Sequence, residues 1–513
     1  MFKIINFVII ATFIGQLLNF FTDVLIANAF GTSWKADSYF LSLLIPTIIC
    51  DSFAVLISSV FIPLFMSRKK SGDENSFFST VTNLAVITTI CLCMIIFFAV
   101  PAFINFIASG FSSQAREVTI LLTRLLLFLI VVKPIISISS NLLNSYNYFT
   151  VPALEKVFTF TGVVFSIYFF KEIFDVYSLV LGFFIGTVGF LLIQSLWVKR
   201  CGVNYSASIY LSHPALKEMM VLISPIILAS LFNYLNIFIE RSIAAGFSEG
   251  SIASLNYAFR VLNVPVNALI LPALTVILPK LSKYAVEGDM IGIEKDTLRG
   301  MKFVSFIMIP IIAIMIVVRI PLIKVLFERG EFTAQSTEIT ATAFLFYASG
   351  IFGVSIVALL SRVFYAFKDM KMLSLIGIVM IVLNIFLIVI LSKKLGFIGI
   401  PLTFSITSLI HMVTIIAVLE KRRMLKLSSH FLRGSIKHLL SAGVMILACL
   451  YLSQIKSLYL LSGIALIYQL FLTAIIGISA YSLTSLVLKV NEIEFIIDKV
   501  KIFGKRFSGG IIH

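Results

Sequence analysis

The feature that most constrains this chain is a succession of about fourteen apolar windows, each about 20 residues long, separated by short charged or Gly/Asn-rich loops. A helix of about 20 apolar residues crosses the hydrocarbon core of a bilayer. Inside lipid every backbone N–H and C=O must find its partner within the protein, so only helices or closed barrels span. Windows this long and continuous select helices. The expected fold is an all-α polytopic membrane protein of about 14 transmembrane helices. Composition agrees, with 60% hydrophobic and 12% charged residues, where a soluble domain has about 25% charged.

Basic residues fix the expected orientation. Arg68–Lys70, Lys199–Arg200, the Lys280 to Lys302 cluster, the Arg362 to Lys371 cluster, Lys421 to Lys437 and Lys499 to Arg506 each follow an even-numbered window. About 27 basic residues fall on that side, about 9 on the other and about 4 within the membrane. Lys393-Lys394 is the main exception. Both termini are therefore expected in the cytoplasm. The net charge of +16 reads as inner-loop charge, and no nucleic-acid partner is expected. No loop exceeds about 25 residues, which leaves no room for a soluble catalytic domain. No Asp-x-Asp occurs, so an integral-membrane glycosyltransferase, or any enzyme, is not expected. The five cysteines show no C-x-x-C spacing and read as small hydrophobes. Arg319–Phe332 reads as an amphipathic segment on the outer face, and Glu492–Arg506 as a tail on the inner leaflet.

The chain also contains a copy of itself. VFIPLFMSRKKSGD at Val60–Asp73 matches VILPKLSKYAVEGD at Val276–Asp289, at an offset of about 216 residues. Near the same offset, Gln16, Asn19 and Asp23 in the first window fall on Asn233, Asn236 and Glu240 in the seventh. Each trio has i, i+3, i+7 spacing, which is one face of a helix. An offset of six helices preserves orientation, so the halves are parallel repeats, the arrangement of an alternating-access carrier. The expected organisation is an N-terminal lobe at 1–215 (helices 1–6), a C-terminal lobe at 216–425 (helices 7–12), two added helices at 426–490 and a cytoplasmic tail at 491–513. Ala27-Asn28-Ala29 mimics a signal-peptide cleavage site. A cleaved leader has no reason to match the seventh window, so the first helix is expected in the mature chain.

Ionisable groups within membrane spans are costly and tend to face a cavity or a partner. Here they are Asp23, Asp51, Arg124, Lys133, Glu240, Arg241 and Arg260. Their cations suit an anionic head group, and their acids suit either charge balance or a coupling cation. The structural alternatives are interhelical hydrogen bonds for Asp23 and Glu240, and outward snorkelling for Arg124 and Arg241.

Several stretches together resemble the MurJ (MviN) family of lipid II flippases, within the larger superfamily of multidrug and oligosaccharidyl-lipid exporters. They are FGTSWKADSYF at Phe30–Phe40, VFIPLF at Val60–Phe65, LNSYNYFTVPAL at Leu143–Leu154, SIASLNYAFRVLNVP at Ser251–Pro265, LFERGEFT at Leu326–Thr333 and FYAFKDMK at Phe364–Lys371. The resemblance implies two lobes, 14 helices and a cargo of undecaprenyl-pyrophosphate-linked glycan moved from inner to outer leaflet. It further implies a probable monomer in the bacterial cytoplasmic membrane, with no cofactor beyond Na+ or H+ as coupling ion.

Cavity arginines usual in the family fall on Gln16, Thr22 and Cys50, a usual acid falls on Val55, and an Asp-Arg pair falls on Phe259-Arg260. Arg260 and Lys133 are then the expected diphosphate cations. Gln16, Asn19, Asp23, Asp51, Asn236 and Arg241 are expected to line the substrate site, and Glu240, Asp23 and Asp37 to couple or gate. The family's sodium site maps onto Glu240, Asn384 and Thr403, with Ile388 near the position of a second acid. Two other cargoes fit the same frame: a different lipid-linked oligosaccharide, of exopolysaccharide or O-antigen type, and a small molecule exported by a cation-coupled antiporter.

Overall fold

The computed structural model describes residues 2–207, 234–426, 429–455 and 463–490. Among these the secondary structure is helical throughout, with no strand. Twelve described segments are long and apolar enough to cross a membrane. One of them, Met370–Lys421, contains two helices divided by a 3-10 turn at Gly396–Ile398. The tail expected at Glu492–Arg506 and Asn233 of the second stripe lie outside the described residues.

The chain groups into two compact units, Met1–Asn256 with Phe327–Ser336, and Tyr257–Leu326 with Thr337–His513. The first holds α1 (Phe2–Phe30), α2 (Trp34–Ser42), α3 (Leu44–Lys70), α4 (Glu74–Ile107), α5 (Ser113–Leu126), α6 (Phe128–Ser145), the single turn α7 (Thr150–Ala153), α8 (Glu155–Phe174) and α9 (Tyr177–Arg200). It also holds the described part of α10 (234–245) and the first turn and a half of α11 (Ser251–Pro265).

Lipid tails are as apolar as leucine, so these helices associate through close packing and not through release of water. The α8–α9 contact is made by glycine. A Cβ built at Gly162 would lie 2.5 Å from the backbone nitrogen of Gly186 and 2.6 Å from the carbonyl oxygen of Gly182. Any side chain there forces the backbones apart. The Val60–Phe65 stretch is core: Phe61 and Phe65 are fully buried, stack at 5.6 Å, and join Phe77 and Leu142.

The second unit continues with a π turn at Val266–Ile270, α12 (Leu271–Glu287), α13 (Met290–Val317), α14 (Arg319–Phe327), α15 (Ala334–Ala366), α16 (Met370–Leu395), α17 (Gly399–Lys421), α18 (Ser429–Ile455) and α19 (Ile464–Val487). The π turn follows Pro265, where the missing N–H interrupts the α-helical ladder. α18 and α19 pack on α13 through Ala313, Ala442, Met445, Cys449 and Tyr481. The segment from Arg319 does form a helix, but not one lying loose on a surface. Ile323, Phe327 and Phe332 are fully buried, and Phe327 meets Phe20 at 6.3 Å and Phe332 at 5.7 Å.

Candidate functional site

The polar stripe of α1 forms as its spacing requires. Gln16 and Asn19 are half-buried and Asp23 is buried. Thr22, also buried, donates its hydroxyl to the Leu18 carbonyl at 2.8 Å, so it acts within its own helix. In α10, Asn236 and Glu240 are half-buried, and the Asn236 side-chain oxygen has no hydrogen-bond partner among the described residues. Arg241 does not snorkel outward. Its Nη2 donates to Oδ1 of Asn256 at 3.0 Å, and Asn256 in turn donates to the Ile252 carbonyl at 2.8 Å.

Beyond the end of α1 three separate stretches close on one another. The Gly31 backbone has φ +58°, and a Cβ there would lie 2.2 Å from the Glu331 carbonyl oxygen; Gly250, at φ +86°, stands equally close to Thr32. Both positions need glycine for the conformation and for the space. The Glu331 N–H donates to the Asn28 carbonyl at 3.0 Å, and the Thr32 and Ser336 hydroxyls share a bond of 2.7 Å. At the centre is Asp37, 2% exposed. Its two carboxylate oxygens accept from the backbone N–H groups of Gly250 and Ala253, each at 2.7 Å. These are orphan donors at the start of α11, which a carboxylate caps well. Arg241 lies within its electrostatic reach. The expected gating residue Asp37 is therefore a cap joining segments more than 200 residues apart, and Arg241 stands beside it. Three of the stretches that carry the family resemblance, at Phe30–Phe40, Ser251–Pro265 and Leu326–Thr333, meet here.

A second polar centre lies among α3, α6 and α8. Lys133 is not an uncommitted cation: its Nζ lies 2.6 Å from Oε1 of Glu155, with side chains 24% and 31% exposed. Sequence reasoning did not single out Glu155 or its neighbour Lys156, because both fell at the edge of an apolar window and read as loop. Asp51 is exposed and sits in the field of Lys133, Lys156 and Glu155. Cys50 turns its thiol toward the Leu129 carbonyl, 3.4 Å away, and serves α3–α6 packing. Arg124 is occupied by α4, with Nε donating to the Phe97 carbonyl at 3.2 Å and the guanidinium 4.4 Å above the Phe97 ring.

In the second unit Arg260 is exposed on α11. Its neighbour Phe259 packs against Tyr347 and Phe404 at 5.5 and 5.4 Å, so the position of the usual acid is an aromatic contact. The residues mapped for sodium keep oxygens able to accept. Asn384 donates its amide to Thr407 at 2.7 Å, Thr403 gives its hydroxyl to the Gly399 carbonyl at 2.7 Å, and Ile388 is 2% exposed. Glu240 is the sole carboxylate of the set. Among the described residues no three His, Cys, Asp or Glu side chains gather to hold a metal.

Comparison with known proteins places this arrangement. The family model described as lipid II flippase MurJ matches residues 26–487. A probable lipid II flippase MurJ of Rickettsia prowazekii is 26% identical over 93% of this chain and 96% of its own length. The lipid II flippase MurJ of Thermosipho africanus is 27% identical over 78% of this chain and 82% of its own. A solved structure of lipid II flippase MurJ in an inward closed conformation superposes with a TM-score of 0.81 at 24% identity, covering 95% of this chain and 99% of that one. An inward-facing multidrug MATE transporter superposes with a TM-score of 0.70 at 15% identity, covering 80% of this chain and 94% of that one. The match across 26–487 spans nearly all of the paired helices, the Asp37 cap and the Arg260 helix, and the chain belongs to the lipid II flippase MurJ family.

Proposed function

We propose that this protein carries the polyprenyl-pyrophosphate-linked peptidoglycan precursor lipid II from the inner to the outer leaflet of the bacterial cytoplasmic membrane by alternating access. The observation that carries the reading, beside family membership, is the nature of the Asp37 closure. Its polar centre is a pair of hydrogen bonds from one carboxylate to a segment more than 200 residues away. Hydrogen bonds to a charged group are worth about 1.5–3 kcal/mol each. A single charge moved through 100 mV supplies about 2.3 kcal/mol. The polar part of this closure is of the size that such a charge movement can offset within a transport cycle.

In this reading the closure faces the outer leaflet, both termini are cytoplasmic, and the count of spans is fourteen in a monomer. The head group enters from the inside, and the polyprenyl tail stays in lipid beside α18 and α19. Arg260 provides a charge-assisted donor for the diphosphate in a setting of low dielectric. Glu240 and Asp23 balance charge or take up a coupling proton. Likeness to MATE transporters supports a shared fold, and the fifth of this chain beyond that likeness fits a carrier for a lipid better than a drug antiporter.

The test is replacement of a cell's own lipid II flippase. The wild-type chain is expected to sustain growth on depletion, and Arg260→Ala, present at normal level in the membrane, to fail. Failure of the wild-type chain, or full rescue by Arg260→Ala, contradicts the reading.

A further inference from the structure

The basic side chains set within the spans of the first unit differ in how they are held. Lys35 pairs with Asp175, Arg116 with the Ala108 and Ser109 carbonyls, Arg124 with Phe97, Lys133 with Glu155 and Arg241 with Asn256. Lys156, in the first turn of α8, is exposed and makes no ion pair or hydrogen bond among the described residues.

Its depth makes that notable. A Cβ built at Gly15 would lie 2.9 Å from the Cβ of Lys156. Gly15 lies one residue from the midpoint of the 29-residue α1. Lys133, whose partner Glu155 precedes Lys156, stands twelve residues before the end of α6, about 18 Å of helix. Both neighbours lie well inside their helices, and Lys156 itself is the seventh residue of the Thr150–Phe174 span, about 9 Å of helix from its start. An exposed ammonium inside a span is costly unless it faces water or an anion. Its direction is marked by Asp51, which feels Lys156 together with Lys133. Asn19, one turn from Gly15 on the same face of α1, adds an amide to that side. The neighbouring Lys133–Glu155 pair is already neutral. Of the local charges Asp51, Lys133, Glu155 and Lys156, only the last can give its donors to an incoming anion without breaking a close pair.

We propose that Lys156 is the cation of the first unit that binds the pyrophosphate of the transported lipid, with the Lys133–Glu155 pair positioning the first turn of α8. This rests on the lipid-carrier reading above. Asp51 is the nearby acid whose field Lys156 shares with Lys133.

The experiment measures binding of undecaprenyl pyrophosphate and of the uncharged undecaprenol to the purified full-length protein in nanodiscs. The preference for the pyrophosphate is expected to fall at least tenfold in Lys156→Gln and to be largely kept in Lys156→Arg. Thermal midpoints should be unchanged in both, since Lys156 supports no described contact. If Lys156→Gln keeps the wild-type preference, the assignment of Lys156 is overturned and the carrier reading stands. If the wild-type protein itself shows no preference for the pyrophosphate over the alcohol, both are overturned.

Discussion

Asp37 and Asp369 are both carboxylates that cap a helix, yet they do different work. Asp37 is buried and spends both oxygens on the backbone of α11, more than 200 residues away. Asp369 is partly exposed, caps its own α16 through the Met372 N–H at 3.2 Å, and pairs with Arg422. One ties distant segments together where water cannot substitute. The other tidies a loop where water can. The lesson is that a charge in this protein matters in proportion to what would replace its partner if the partner left.

The largest effect is expected at Asp37. Asp37→Ala leaves two buried N–H groups at the head of α11 without acceptors, each costing about 1–3 kcal/mol. Lipid transport should fall at least tenfold and the thermal midpoint should drop. Asp37→Asn keeps one acceptor but turns an N–H toward a donor, so it should rank between wild type and alanine. An Asp37→Ala protein with wild-type transport and melting would erase the distinction between the two carboxylates.

The Lys133–Glu155 pair lies between these extremes, half-buried among α6 and α8. Removing one partner strands the other in a poorly solvated site. Lys133→Met and Glu155→Gln should each destabilise by about 1–2 kcal/mol, less than for a fully buried pair. The double variant should recover part of that loss, a coupling that a double-mutant cycle reads directly. Strictly additive losses would show that the two side chains act apart.

The smallest effect belongs to Asp369. Arg422 beside it and the Met372 N–H hold its carboxyl below the ordinary carboxylate range. A folded-state pKa below the unfolded one contributes stability above the unfolded value of about 3.9. That contribution is lost as pH falls through the lower folded value. Asp369→Asn should therefore melt slightly lower at neutral pH and converge with wild type in acid. A gap that widens toward acid contradicts this assignment.

The all-helical membrane architecture was legible because membrane helices announce themselves by length and apolarity. The meeting of Asp37 with Ala253 was half legible. Their separation of 216 residues equals the offset at which the sequence resembles itself. Sequence alone carried the offset but not that contact. Lys133 was singled out as a charge within a span, and its partner Glu155 was missed. The single turn Thr150–Ala153 lifts Glu155 and Lys156 away from the loop and into the bundle, and no periodicity marks so short an element. Arg241 was equally ambiguous, since its direction depends on Asn256, one helix further on.

The central claim is tested most directly by labelled lipid II in proteoliposomes containing the purified protein. Appearance of the label on the opposite leaflet is predicted for wild type, with at least tenfold slower transfer for Asp37→Ala and for Lys156→Gln. Wild-type vesicles that leave lipid II where it started, while expelling a cationic dye, would contradict the account.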